Sequence, residues 1–257
     1  VQMDEIKAKI YSGYIWIAMA IMVGPRLWLG GELSPTRNKV LLRRLTDRVR
    51  SMALCRPVVL AVDGLPGYVS SIQESFRSKM PRDGQTGRRK LVSWPNIGIV
   101  QVIKRRKPDG LEVEHRVVQG KASMIDHLIQ ITQSAMGGIN TSYIERINAT
   151  FRQRLAPLAR RSRHLARKES TLQAGMYLVG CFYNFCDYHH SLRQQLSVGS
   201  YGHTWVQFTP AMAAGLSEHQ WTATELLTFK VPPPRWTPPK RRGRPSKETL
   251  ALVKQWC

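Results

Sequence analysis

Acidic side chains are scarce in this 257-residue chain: 17 Asp and Glu stand against 39 Lys and Arg, for a formal charge of +22. So large an excess opposes compaction unless a polyanion offsets it, and nucleic acid is the commonest polyanion. Charge alone leaves a ribosomal or a membrane-surface protein open. Cysteine is sparse as well. Cys55, Cys181, Cys186 and Cys257 include no C-x-x-C pair, which excludes a zinc-finger spacing and a disulfide framework and fits a reducing, cytoplasmic setting. The longest apolar run, Ile15 to Val23, falls well short of the ~20 residues that cross a bilayer. There is no internal repeat. The chain opens on Val1 inside a strand pattern, so we expect a preceding part to be missing from it.

A core is nonetheless present. Apolar residues make up 42% of the chain, enough for a packed domain and too many for a disordered basic tail. Val1–Ile6, Tyr14–Val23 and Arg26–Leu33 read as strands, the last two parted by Gly24-Pro25, and their short links predict an antiparallel meander. A helix opening at Ser34-Pro35-Thr36 carries Leu41, Leu45, Val49 and Met52 on one stripe. Pro57–Val62 is almost wholly apolar, as in a central strand buried on both faces. A helix is expected over Tyr68–Phe76, a basic loop over 80–90, and two strands, Ile97–Ile103 and Val113–Val118, around Pro108-Asp109-Gly110. Helices are predicted over Ala122–Gln133, Thr141–Ala156 (ended or kinked by Pro157), Thr171–Tyr188 and Thr222–Leu227. Thr171–Tyr188 is apolar nearly all round, which argues burial. Three strands, a helix and a buried strand predict an α/β fold with a mixed sheet.

With so few acids, their placement is informative. Ile144, Ile147, Phe151, Leu155 and Leu158 recur with the stripe of an amphipathic helix. Glu145, Asn148 and Arg152 share one edge of that helix, at the border of its buried face. Ser142-x-x-Glu145 is also a capping box, which requires no function. Asp63 ends the buried strand, where open α/β sheets place ligands, and it also reads as an Asp-Gly turn. Asp4 lies inside a predicted strand, where a carboxylate must be exposed, paired or metal-bound. Strict alternation sends the adjacent Glu5 to the opposite face. Three carboxylates from a first strand, a central strand and a later helix match the needs of a two-metal phosphoryl-transfer site with Mg²⁺ or Mn²⁺.

QMDE at 2–5, VDGLPGY at 62–68 and YIERINATFRQRL at 143–155 resemble bacterial insertion-sequence transposases of the DDE type. CFYNFCDYHHSLR, TPAMAAGL and WTATELL downstream resemble the later part of the same family. The resemblance implies an RNase H-like mixed sheet, three antiparallel strands then helix–strand units with helices on both faces. It implies that Asp4, Asp63 and Glu145 form the catalytic, metal-binding triad for two Mg²⁺ (or Mn²⁺) ions, and that Arg152 contacts DNA phosphate. It implies double-stranded DNA, both element ends and target, as the partner of a homo-oligomer associated with the bacterial nucleoid. The chain departs from the family in holding no zinc-finger or helix-turn-helix module and in the long separation of Asp63 from Glu145.

On this reading 1–80 begins the catalytic core, 81–120 is a basic strand-rich insert, 121–195 completes the core, 196–230 is an extension and 231–257 is a disordered Pro-rich basic tail. Arg152 to Lys168 holds six Arg, one Lys and no acid. Its Arg152, Arg154, Arg160, Arg161 and Arg163 are expected on DNA phosphates, which would make binding salt-dependent. In the tail, Arg242-Gly243-Arg244-Pro245 looks like an AT-hook, whose arginines enter a narrow A·T-rich minor groove. His189 and His190 are read as the end of a buried helix, and Trp94 as a core anchor or a DNA contact. The rival readings are a non-catalytic DNA-binding protein using the AT-hook, and a generic nuclease that cleaves without joining.

Overall fold

The computed structural model describes residues 1–53, 57–80, 88–108, 110–132, 138–159, 163–197, 203–233 and 246–256. Two compact units divide the chain, Val1–Leu226 and Leu227–Cys257.

In the first unit β1 (Gln2–Ile10), β2 (Gly13–Met22) and β3 (Leu27–Ser34) form the antiparallel meander. Helix α1 (Lys39–Met52) crosses over to β4 (Val58–Asp63), which runs parallel to β1. Helix α2 (Pro66–Ser75) and a small ribbon, β5 (Arg77–Lys79) with β6 (Leu91–Ser93), follow. Then β7 (Ile97–Lys107) pairs parallel with β4, and β8 (Gly110–Gln119) pairs antiparallel with β7. The result is a six-stranded mixed sheet in the order β3-β2-β1-β4-β7-β8. Helices α3 (Ala122–Thr132), α4 (Ser142–Arg154) and α5 (Glu169–Phe185) come next, α4 ending ahead of a 3-10 turn that contains Pro157. A β9 (Gln194–Ser197) and β10 (His203–Val206) ribbon precedes the short helices α6 (Pro210–Ala213) and α7 (Ala223–Thr228).

The protein is therefore α/β, with helices on both sheet faces. On one face α1 and α2 bury Leu41, Leu45, Tyr68 and Ile72 against Met3, Ala18, Ala20, Leu60 and Val62. On the other, α4 and α5 bury Ile144, Ile147, Phe151, Leu172 and Met176 against Ile6, Ala8, Ile15, Ile17 and Met19. Helix α3 covers Ala61 and Val100 through Ile125 and Ile129. Strand β2 has apolar side chains in both cores, so its Ile15–Val23 run needs no membrane. Among the described residues no helix is long and apolar enough to cross one.

Several expectations change. Residues 97–119, placed in a separate insert, supply two strands of the main sheet: Ile97–Val102 is buried along its length, and parallel pairing to β4 covers it on that side. The basic Lys104–Lys107 end of β7 is left beyond the core. The helix expected at Ser34 begins at Lys39, because Asn38 accepts hydrogen bonds from the Val40 and Leu41 amides while Ser34 still belongs to β3. Helix α5 has one buried face, with Leu178 exposed on the other side. Trp94 is a core residue, stacked edge-on against Phe76 and donating from Nε1 to Ser78 Oγ at 2.6 Å. In the second unit, the tail expected to be disordered contains helix α8 (Lys247–Trp256). Its AT-hook candidates Arg242, Gly243, Arg244 and Pro245 lie outside the described residues.

Helix α5 approaches β3 closely enough that a Cβ on Gly180 would fall inside the Trp28 ring. Asn184, one turn on, accepts from the Trp28 amide and donates to its carbonyl, both at 2.9 Å. Such overpacking typically costs about 1–3 kcal/mol, and a rigid ring against two fixed backbones belongs at or above the upper end. Gly180→Ala should therefore lower the urea midpoint with little change in slope; an unchanged midpoint would show that Trp28 can move aside freely.

Candidate active site

Strand register brings the first two carboxylates together. Gln2 pairs with Ala61 in the parallel β1–β4 ladder, so Asp4 and Asp63, two residues further along each strand, stand level on the same face. Neighbouring strands lie about 4.8 Å apart. Both side chains are partly buried at the carboxyl end of β4. Asp63 also makes the turn that its Asp-Gly sequence suggests, its Oδ1 accepting from the Leu65 amide at 2.9 Å. The turn and the site use different oxygens of one side chain.

Helix α4 is anchored to the same place by Gln2. Gln2 Oε1 accepts from the Tyr143 and Ile144 amides at 3.0 Å, and its Nε2 donates to the Asn140 carbonyl at 2.8 Å. Those amides are among the donors a helix N-terminus leaves unpaired. The capping box expected at Ser142 is replaced: Thr141 is the N-cap, and Asn140 Oδ1 accepts from the Ser142 amide at 3.1 Å. With that amide and two more taken by Asn140 and Gln2, Glu145 has no capping duty and extends into solvent. Its Oε1 takes the Thr141 hydroxyl at 2.7 Å and the Lys104 ammonium. Asn148, on the same edge of α4, donates from Nδ2 to Asp4 Oδ2 at 2.8 Å.

A cavity of about 620 Å³ opens here, lined among others by Asp4, Asp63, Glu145, Arg37, Lys104 and Thr141. The three sequence-predicted carboxylates thus share one cavity. The tightest acidic group among the described residues is a different trio, Asp4, Glu5 and Asp63, with ligand oxygens all within 4.8 Å of one another. Glu5 does leave β1 on the opposite face, as alternation requires, where its carboxylate accepts from the buried Tyr68 hydroxyl at 2.6 Å and from Arg37. Its longer side chain still brings an oxygen back to the strand ends. Glu145 lies outside this trio, held by Lys104.

Arg37 spans the trio, bonded to Glu5 and, at 3.1 Å, to Asp63 Oδ2. Burial, then repulsion from Glu5, Asp63 and Glu145, pushes the Asp4 carboxyl up to about 6 from its ordinary 3.8. Burial also raises Glu5. For Glu145 burial acts upward, but the hydrogen bonds from Lys104 and Thr141 outweigh it and hold the carboxyl below its ordinary range. The residues fit a hard divalent cation: the donors are all oxygen, and they lie close enough to repel one another. Asp4, Glu5 and Asp63 would hold such an ion, with Glu145 at the wall of the same cavity.

The arginines expected on DNA are less uniform. Arg152 lies on α4 two turns beyond Glu145. Arg154 is ion-paired with Asp187, and Arg163 is exposed. Arg160 and Arg161 lie outside the described residues. Missed from sequence were Gln2, Arg37, Tyr68 and Lys104. Glu5 was noticed beside Asp4 and set aside because alternation sends it to the opposite face, yet its oxygen joins the acidic group. Compared with family models, curated proteins and solved structures, the chain matches none.

Between about pH 4 and pH 6 folded Asp4 holds a proton that the unfolded chain has released. Its contribution is therefore present at low pH and is lost as pH rises through about 6, a cost of about 3 kcal/mol at neutral pH. Asp4→Asn removes that cost. In chelator-treated protein the variant should melt above the parent at about pH 7.5, the gap closing toward pH 4; coincident melting curves at neutral pH would show that the carboxylate carries no penalty.

Proposed function

We propose that this chain is the catalytic core of a DDE-type DNA transposase with an RNase H-like fold, cutting the ends of a mobile element and joining them to target DNA. One observation carries the reading. Asp4 and Asp63 stand level on adjacent parallel strands, and α4, tied to β1 through Gln2, brings Glu145 to the same cavity. The strand order supports it too, with an antiparallel meander leading into parallel strands through helical crossovers.

Bound divalent ions, Mg²⁺ or Mn²⁺, would supply activation of the attacking oxygen and charge stabilisation of the leaving one. The chain's own part is to gather and orient. Asp4 and Asp63 form the rigid floor, being backbone neighbours in one sheet. Asn148 fixes the Asp4 carboxylate by its hydrogen bond. Arg37 and Lys104 offset acidic charge now and must yield Asp63 and Glu145 when a cation and a phosphate enter. Freed in this way, both basic side chains sit at the cavity wall, where they are available to the incoming phosphate. Arg152, on the same edge of α4 as Glu145, is assigned to DNA phosphate. Double-stranded DNA is the partner, a homo-oligomer the working form and the bacterial nucleoid the setting.

The test is strand transfer on a DNA end with Mg²⁺. Asp63→Asn and Glu145→Gln should each lower both cleavage and joining by about 10²–10³-fold, the scale of losing one preorganised electrostatic partner, while DNA affinity changes only a few-fold. Full joining activity in either variant would remove the proposal. Cleavage without joining would identify a generic nuclease, and binding without either a non-catalytic DNA-binding protein.

A further inference from the structure

Helix α4 has a second edge with the opposite character. Ser142, Tyr143, Arg146 and Thr150 face a cavity of about 340 Å³, closed by Arg26 from the β2–β3 turn and by Tyr183, His189 and Ser191 from the end of α5 and beyond. That volume is at the lower end of the ~300–1,000 Å³ of pockets that take small ligands. No carboxylate is among its lining residues. The nearby Asp187 is ion-paired with Arg154, and Glu145 is held by Lys104. Among the described residues neither Arg26 nor Arg146 forms an ion pair.

Arg26 is held in position rather than solvated. It has a left-handed backbone, φ 58°, a conformation that costs a non-glycine residue energy. Its guanidinium donates to the Val23 carbonyl and lies 3.9 Å from the Tyr143 ring centroid. Its charge and that of Arg146 reach into the cavity: after burial, these two arginines are the largest influences holding the His189 imidazole below its ordinary range. One held and one exposed guanidinium, with hydroxyls beside them, surround an acid-free hollow, and forked guanidinium donors match phosphate oxygens best.

We infer that this cavity is a phosphate subsite for the DNA strand, engaged by Arg26 and Arg146. This rests on the transposase reading. Glu145 and Arg146 are consecutive and point about 100° apart around α4, so the two cavities flank the same helix. A strand reacting at the acidic cavity would pass over α4 and be gripped on its other flank, a few nucleotides from the reacting phosphate.

The experiment measures DNA affinity in chelator across a salt series, with an end-containing duplex as probe. It compares the parent, Arg146→Gln, Arg26→Asn with Arg146→Gln, and a control pair, Lys9→Gln with Lys90→Gln, that removes equal charge elsewhere. Each lost phosphate contact should make the log–log salt dependence shallower by about 0.9, so the double variant should lose close to two such steps and at least about tenfold in affinity near physiological salt. Asn tolerates the left-handed backbone at position 26. Should that variant still fail to fold, Arg146→Gln alone must lose one step. An unchanged slope in the double variant, where the parent binds and joins DNA, overturns the subsite alone, as does an equal loss in the control pair. No DNA binding by the parent at low salt overturns the subsite together with the transposase reading.

Discussion

The mutual repulsion of carboxylates at the ends of β1 and β4 is the constraint to which the surrounding structure responds. Asp4, Glu5 and Asp63 bring oxygens within 4.8 Å of one another in a chain with few acids. Such a group is stable only if charge is suppressed or offset. Here both occur: Asp4 and Glu5 are pushed toward the protonated form, and Arg37 bonds Glu5 and Asp63 together. Lys104, from the basic end of β7, does the same for Glu145. The cations therefore act as internal counter-ions, and they hold the acidic cavity in a conformation that a metal ion would have to reorganise. A scaffold with buried cores on both sheet faces can carry this local cost.

Helix α4 organises two chemistries by its period alone. At 3.6 residues per turn, Ile144, Ile147 and Phe151 point into the core, Glu145 borders the acidic cavity, Asn148 bonds Asp4 beneath it, and Arg146 and Thr150 line the basic one. The anchor is Gln2, whose side chain occupies two amides at the helix start. One glutamine on β1, two residues before Asp4, thus sets where Glu145 stands relative to the floor of the site. Asn148, which local sequence left without a role, is the second tie through Asp4.

Much of the framework was legible because it rests on local periodicity. The alternation of Ile15, Ile17 and Met19, the apolar Val58–Val62 run and the Ile144–Phe151 stripe each name their own element. Errors arose where pairing across the chain decided the outcome. Ile97–Val102 looks the same whether it lies in an insert or in the main sheet; only its ladder with β4 makes it central. Lys104–Lys107, within the stretch read as a basic insert, is the overhang of a core strand. Ser142 has the chemistry of a cap, but Thr141, Asn140 and Gln2 take that place.

The sequence by itself determined the α/β class, the excess of positive charge and the order Asp4, Asp63, Glu145, because these follow from composition and short-range pattern. Tertiary structure alone decided that Asp4 and Asp63 stand level, that Glu5 joins them across a strand, and that Arg37 and Lys104 neutralise the cavity. The reason is physical. Strand register and ion pairing depend on residues tens of positions apart, and no local preference encodes which distant partner a side chain will meet.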